Sequence, residues 1–346
     1  MDRIYLITHP RTASNLLVQV LGLEDQPKVT ARPHAGYYFL DTLYYLGSKG
    51  LRGKHIDQWT EEEKTQTRAV YQKGYNEMEK YLDEAKAEGR IAVVKEHANL
   101  LIEPSHQTKF FFNVDKVNEA PLTLDVSNQV GTDVSRTPLN ETVFPDEFLL
   151  SWKPVFLIRH PALVFPSYYR CMDDIDHMMK KDADGKRTGS LEDVKPDLKI
   201  GMSFHCTRAL YDWYSQKLSK AGTSSSVDTN TWPLVIDADD VIGEPEAVLK
   251  LADIMGLDRE KLKFKWDPIS TEEKQKRYND MEKRMLSTLN ESTGIMKDKI
   301  ASNIDIEAES VKWKKEFGEI DGQKMYNWVK EAMPDYEYLK ARKIRA

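Results

Sequence analysis

The chain has 346 residues, 40% of them hydrophobic and 31% charged, with 50 Lys and Arg against 56 Asp and Glu and a net charge of −6. That composition fills a core in one large α/β domain or two smaller ones, and its acidic balance argues against bulk nucleic-acid binding. Two cysteines, Cys171 and Cys206, cannot build a disulfide framework and read as reduced thiols of a cytoplasmic protein. No apolar run is long enough to span a bilayer, and the opening Met1-Asp2-Arg3 shows no signal-peptide pattern.

Arg3 to Thr8 reads as a short buried strand, with Ile4, Leu6 and Ile7 apolar. Leu16, Leu17, Val20 and Leu21 recur at helical spacing up to Gly22. Between them lies the polar turn Thr8-His9-Pro10-Arg11-Thr12-Ala13-Ser14-Asn15. Aromatic residues crowd positions 37 to 45. Thr60 and Glu63 form a capping box that opens a long charged helix ending near Gly89. Ile91 to Val94 is a second strand, parallel to the first after a helical crossover. Residues 110–150 hold few helical repeats and several Pro, Ser, Thr, Asn and Asp, and are expected to form an irregular insertion.

Pro154 to Ile158 is a third strand, followed by Arg159-His160-Pro161 and a helix from about Ala162. Residues 172–200 are expected to include a mobile loop or lid, because Lys180 to Lys199 is polar and carries Gly185 and Gly189. Thr207 to Leu218 reads as helix and Leu234 to Asp237 as a fourth strand. Pro245 and Gly256 bracket a further helix, and Ser270 with Glu273 caps another. Strands alternating with helices predict a doubly wound, mostly parallel sheet with helices on both faces.

In such a sheet, ligands bind beyond the carboxyl ends of the strands, where a helix N-terminus offers unpaired N–H groups to a phosphate. The turn at Thr8 to Asn15 stands at that place. It lacks the glycines and the Lys-Ser or Lys-Thr pair of the G-x-x-x-x-G-K-[ST] nucleotide loop. By itself it reads equally well as a plain strand-turn-helix. Lys95 and His97, at the end of the second strand, and Arg159, at the end of the third, lie on the same sheet edge. Ser167 follows Arg159 by eight residues.

Together these segments resemble the sulfotransferase family that uses 3′-phosphoadenosine 5′-phosphosulfate (PAPS). The turn is similar to that family's T-Y-P-K-S-G-T-T, Lys95-Glu96-His97 to its K-T-H, and Arg159 through Ser167-Tyr168-Tyr169 to its R-x-P-x-x-x-x-x-S-Y-Y. Weaker likenesses follow, in order, at residues 234–257 and 313–317. The resemblance implies one α/β domain over residues 1–346. It implies sulfuryl transfer from PAPS to a hydroxyl or amine of a small acceptor, yielding 3′,5′-adenosine bisphosphate without a metal. His97 would be the general base, and Lys95 and Arg11 would stabilise the sulfuryl oxygens. Arg11, Thr12, Ala13, Ser14 and Asn15 would hold the 5′-phosphate end, and Arg159 and Ser167 the 3′-phosphate. No nucleic-acid or membrane partner is implied, and a homodimer is allowed.

Four departures stand out. Arg11 replaces the loop lysine, Ala13 the loop glycine and Ala238 a tyrosine. The basic loop expected before Trp313 reads Ile306-Glu307-Ala308-Glu309-Ser310-Val311-Lys312. Either Lys312 or Lys314 completes the 3′-phosphate site or the nucleotide site has changed. A repurposed binding protein on the same fold and a small-molecule kinase are the alternatives. For the acceptor pocket the candidates are Tyr37, Tyr38, Phe39, Phe110 to Phe112 and the region Met172 to Met179.

Overall fold

The computed structural model describes residues 2–32, 35–179, 195–220, 232–301 and 304–345. Four strands form one parallel sheet: β1 (Arg3–Thr8), β2 (Ala92–His97), β3 (Lys153–Ile158) and β4 (Leu234–Asp237), in the order β2-β1-β3-β4. The register sets Thr8 beside His97 and Ile158 beside Asp237, so the carboxyl ends of all four strands form one edge.

Alternation along each strand divides the core between two faces. Tyr5 and Ile7 of β1, Val94 of β2 and Phe156 of β3 pack in one cluster with Tyr75, Phe144 and Trp213. Ile4 and Leu6, Val93 and Val155 pack in the other with Leu17, Val20 and Leu251. Both faces are covered, which is why the strands read as apolar runs.

The connecting helices start and stop where their local chemistry requires. Glu61–Glu88 is opened by the reciprocal capping box of Thr60 and Glu63 and ends at Gly89, whose φ of 65° few side-chain-bearing residues adopt. The helix Pro245–Met255 has Pro at its first position and Gly256 past its end.

The irregular insertion expected over 110–150 is helical at both ends, in Pro104–Phe112 and Asp146–Leu150. Between them, residues 113–145 contain little regular structure beyond the short helix Ser127–Val130 but are tied down. Leu122, Leu124, Val126, Val143 and Phe144 are buried in the first cluster. The buried carboxylate of Glu103 accepts from the backbone N–H groups of Ser105 (3.0 Å) and Leu122 (3.2 Å). Asp146, held by Asn140 (2.9 Å) and Lys217 (2.7 Å), closes the far end. Such bonds satisfy backbone and side chains that no ladder reaches. Part of the expected loop over 172–200 is helical instead: the helix that follows β3 runs from Pro161 to Met179, and another spans Lys195–Gly201. Residues 180–194 lie outside the described residues. Cys171 and Cys206 are buried free thiols, and no described helix is long and apolar enough to cross a membrane.

Candidate functional site

The turn after β1 takes its shape without a glycine. Arg11 and Ala13 both lie in the left-handed region, at φ 67° and 63°. That conformation costs roughly 1–3 kcal/mol at a residue with a side chain and tends to occur at functional sites. Thr12 between them is fully buried and its hydroxyl donates to the His9 carbonyl at 2.7 Å, which fastens the turn from inside. The helix Ser14–Leu21 then begins with no side-chain cap. Its first N–H groups and its dipole are turned toward the sheet edge.

Lys95 and His97 share one face of β2, two residues apart. Lys95 is wholly buried. Its Nζ donates to Asn15 Oδ1 and lies 4.3 Å from the centre of the Tyr37 ring. Burial pulls its pKa down to about 7, against the opposing pull of the Glu96 charge. His97 sits with its ring centre 5.0 Å from that of Tyr37, and its Nδ1 lies 2.7 Å from Thr8 Oγ1. Burial holds its pKa well below the ordinary imidazole value, and Lys95, His9 and Arg11 push the same way. The Thr8 hydroxyl also reaches the Glu96 carbonyl oxygen at 3.1 Å. A hydroxyl has one hydrogen to give, so when it donates to that carbonyl it accepts from Nδ1–H, and Nε2 carries the free lone pair.

Glu96 points to the opposite face. Its carboxyl accepts from the Tyr38 N–H, with the Tyr37 and Phe39 amides close by, and burial pushes its pKa up to about 8. It therefore anchors the segment that enters the helix Leu40–Ser48. Tyr37 is held at φ 70°, with its N–H donating to the Lys95 carbonyl at 3.1 Å and its hydroxyl 3.5 Å from Ser14 Oγ.

At the other end of the site, Arg11 turns toward the helix after β3. Its Nε donates to Ser167 Oγ at 3.0 Å and its Nη1 to the Met285 carbonyl at 2.8 Å. Arg159 donates to the Arg11 carbonyl at 3.3 Å and to the Lys299 carbonyl at 2.9 Å, and its buried Nε has no partner among the described residues. The two guanidiniums thus meet a hydroxyl and backbone carbonyls among the described contacts, and burial lowers the pKa of both.

Lys95, His97, Arg11, Thr12, Ala13, Ser14, Asn15, Arg159 and Ser167 are thus gathered along one sheet edge. Lys312 and Lys314 make other bonds: both sit on the helix Ile306–Phe317, where Lys312 pairs with Glu309 and Lys314 with Glu319 at 2.7 Å. Lys299 brings its backbone to Arg159 instead. The sequence offers little reason to single it out: it stands in Lys297-Asp298-Lys299, where an acid separates the two lysines, in a segment without an aligned motif. Of the aromatic candidates, Tyr37 lines the site. Tyr38 and Phe39 belong to the core, Phe39 packing on Phe144 at 5.5 Å. Phe110 meets His205 at 5.2 Å, and Phe112 meets His55 at 5.1 Å. Met172 packs against the core, and the side chains of 175–179 are not described. Among the described residues no cluster of His, Cys, Asp and Glu is arranged to hold a metal ion.

No family model matches the chain. The sulfotransferase ppzF of Metarhizium rileyi (strain RCEF 4871) is 36% identical over 346 residues, covering 99% of this chain and 96% of that protein. The ppzF of Metarhizium majus (strain ARSEF 297) is 36% identical over 348 residues, covering 99% and 97%. Among solved structures, the sulfotransferase domain of the Synechococcus PCC 7002 olefin synthase matches at 17% identity and a TM-score of 0.40, over 91% of this chain and 94% of that one. The sulfotransferase domain from the curacin biosynthetic pathway matches at 14% and 0.33, over 92% and 98%. The full-length identity to the two fungal proteins shows that this chain belongs to the sulfotransferases.

Proposed function

We propose that the protein transfers the sulfuryl group of PAPS to a hydroxyl or amine of a small acceptor, with His97 as general base. The observation that carries this reading is the pairing at the end of β2. An imidazole held by Thr8 stands two residues from a buried lysine amine whose contact partners, Asn15 and the Tyr37 ring, carry no charge of their own.

His97 Nε2 accepts the proton of the acceptor as the acceptor oxygen or nitrogen bonds to sulfur, and the sulfur–oxygen bond to the 5′-phosphate breaks. Both the bisphosphate and the sulfated acceptor then leave. In-line geometry and stabilised charge lower most of the barrier in such group transfers. Lys95 faces the sulfuryl oxygens, while the uncapped start of the helix Ser14–Leu21 and the left-handed turn offer N–H groups to the 5′-phosphate. Arg159 and Ser167 take the 3′-phosphate. Arg11, expected from the sequence at the sulfuryl oxygens and the 5′-phosphate, joins them in this reading because its Nε is bonded to Ser167. Phosphate oxygens replace the Met285 carbonyl for Arg11 and the Lys299 carbonyl for Arg159.

Calorimetric titration with 3′,5′-adenosine bisphosphate, with ATP and ADP alongside, tests the reading. Tight bisphosphate binding without magnesium and weak ATP binding are expected. Absence of bisphosphate binding would leave a sulfotransferase fold put to another use.

A further inference from the structure

Tyr37 stands in the site in a backbone conformation that its side chain disfavours. A bulky aromatic at φ 70° is an outlier, and here three contacts maintain it. The Tyr37 amide is bonded to the Lys95 carbonyl at 3.1 Å. Gly36 beside it packs so closely on β2 that a Cβ would collide with the Lys95 carbonyl oxygen. The Glu96 carboxyl accepts from the next amide, that of Tyr38. Together they set the ring face 4.3 Å from Lys95 Nζ and 5.0 Å from the His97 ring, with the hydroxyl toward Ser14.

We propose that Tyr37 is a positioning residue, whose ring face and the Asn15 amide oxygen together hold the Lys95 ammonium in place as an unneutralised cation at the point of transfer. A carboxylate there would fix the lysine equally well but cancel the charge that the sulfuryl oxygens require. An aromatic face attracts a desolvated ammonium without doing so. The strain at Tyr37 then serves a purpose, since the left-handed turn carries the ring back across the end of β2. This inference rests on the sulfuryl-transfer reading for its purpose, but its geometry is tested without turnover.

The test is an NMR titration of the protein carrying ¹³C-labelled lysine, with the Lys95 signal identified by its loss in Lys95→Met. In the wild type the Lys95 side-chain protons should show upfield ring-current shifts. In Tyr37→Phe, which keeps the face and loses the hydroxyl, shift and titration midpoint should persist. In Tyr37→Leu the shift should vanish and the midpoint should fall by about one unit. The other titratable groups around Lys95 are Glu96 and His97 on its own strand, with His9 and Arg11 of the turn acting on His97; the substitutions leave all four in place. A wild-type Lys95 signal without ring-current shift would overturn the proposal, and that measurement stands even if the leucine variant does not fold. A Tyr37→Leu midpoint equal to the wild type would also overturn it. Lack of bisphosphate binding would sink the functional reading and leave this result untouched. With turnover established, Tyr37→Leu should lower kcat about tenfold or more and leave KM for the donor within about threefold. A loss confined to KM would mean that the ring only shapes the pocket.

Discussion

At the β2 end of the site, Lys95 and His97 ride on a strand paired residue for residue with β1, and side chains fix their polar atoms: Asn15, the Tyr37 ring and Thr8. At the β3 end, Arg11 and Arg159 reach across on long side chains and bond to backbone carbonyls of Met285 and Lys299, far along the chain. The first arrangement leaves little for a ligand to rearrange. The second presents cations whose neutral acceptors an anion can displace, because a bond between two opposite charges outweighs one from a cation to a neutral carbonyl. In the sulfuryl-transfer reading, the end that does chemistry is preorganised and the end that binds is exchangeable.

Removing the base breaks the comparison hardest. His97→Ala should lower turnover by roughly 10²-fold or more, with bisphosphate affinity within about threefold of the wild type in calorimetry. Unchanged turnover would take His97 out of the reaction.

Arg159→Ala should act on the other end alone. It should weaken a 3′-phosphorylated nucleotide by about 10- to 100-fold, the worth of one charge-assisted bond, and the 3′-dephosphorylated analogue by less than about threefold. Equal weakening of both would mean that Arg159 does not read that phosphate.

The two ends should also part in their response to acid. The arginines stay charged throughout, whereas His9, buried and brought down to about 4, and His97, also depressed, are neutral in the fold. The unfolded chain protonates such groups near pH 6.5. The stability that they contribute is therefore complete above about pH 6.5 and is lost as pH falls through the folded values. For His9 the loss amounts to at most about 3 kcal/mol by pH 4. Thermal unfolding followed from about pH 7.5 down to about 4.5 should show a falling midpoint, and His9→Gln should flatten that slope. A slope identical in the variant would place the acid sensitivity elsewhere.

The smallest effect sharpens the boundary of the site. Lys312 and Lys314 are engaged by Glu309 and Glu319 at the surface. Changing both to alanine should leave bisphosphate affinity within about twofold, as expected for surface pairs. A loss of about tenfold would bring that helix back into the nucleotide site.

The strands, the capping boxes and the shared edge of Lys95, His97, Arg159 and Ser167 are legible in the sequence because each depends on local periodicity or short spacing. The pose of Tyr37 is not. Its φ of 70° is imposed by Gly36 packed on β2 and by Glu96 receiving the following amide, both of them contacts between segments far apart in the chain. Residues 113–145 escape sequence reading for a related reason. Their order comes from Glu103, Asn140 and Asp146 bonding to scattered backbone and side-chain groups, which leaves no period to detect. Lys312 and Lys314 flank Trp313, where the resemblance expects a basic loop, but acidic neighbours engage both ammonium groups.

The parity of β2 has a consequence for how this chain tolerates changes of length. Lys95 and His97 face one side of the sheet and Glu96 the other, because successive strand residues alternate. Deleting one residue within 92–94 would shift that alternation, carrying an acid to the face where the ammonium stands and turning the cleft from anion-attracting to anion-repelling. Gains and losses of the same size in the exposed connection at residues 49–50 would leave the alternation untouched. The chemistry of the cleft is thus written in whether a position on one short strand is odd or even.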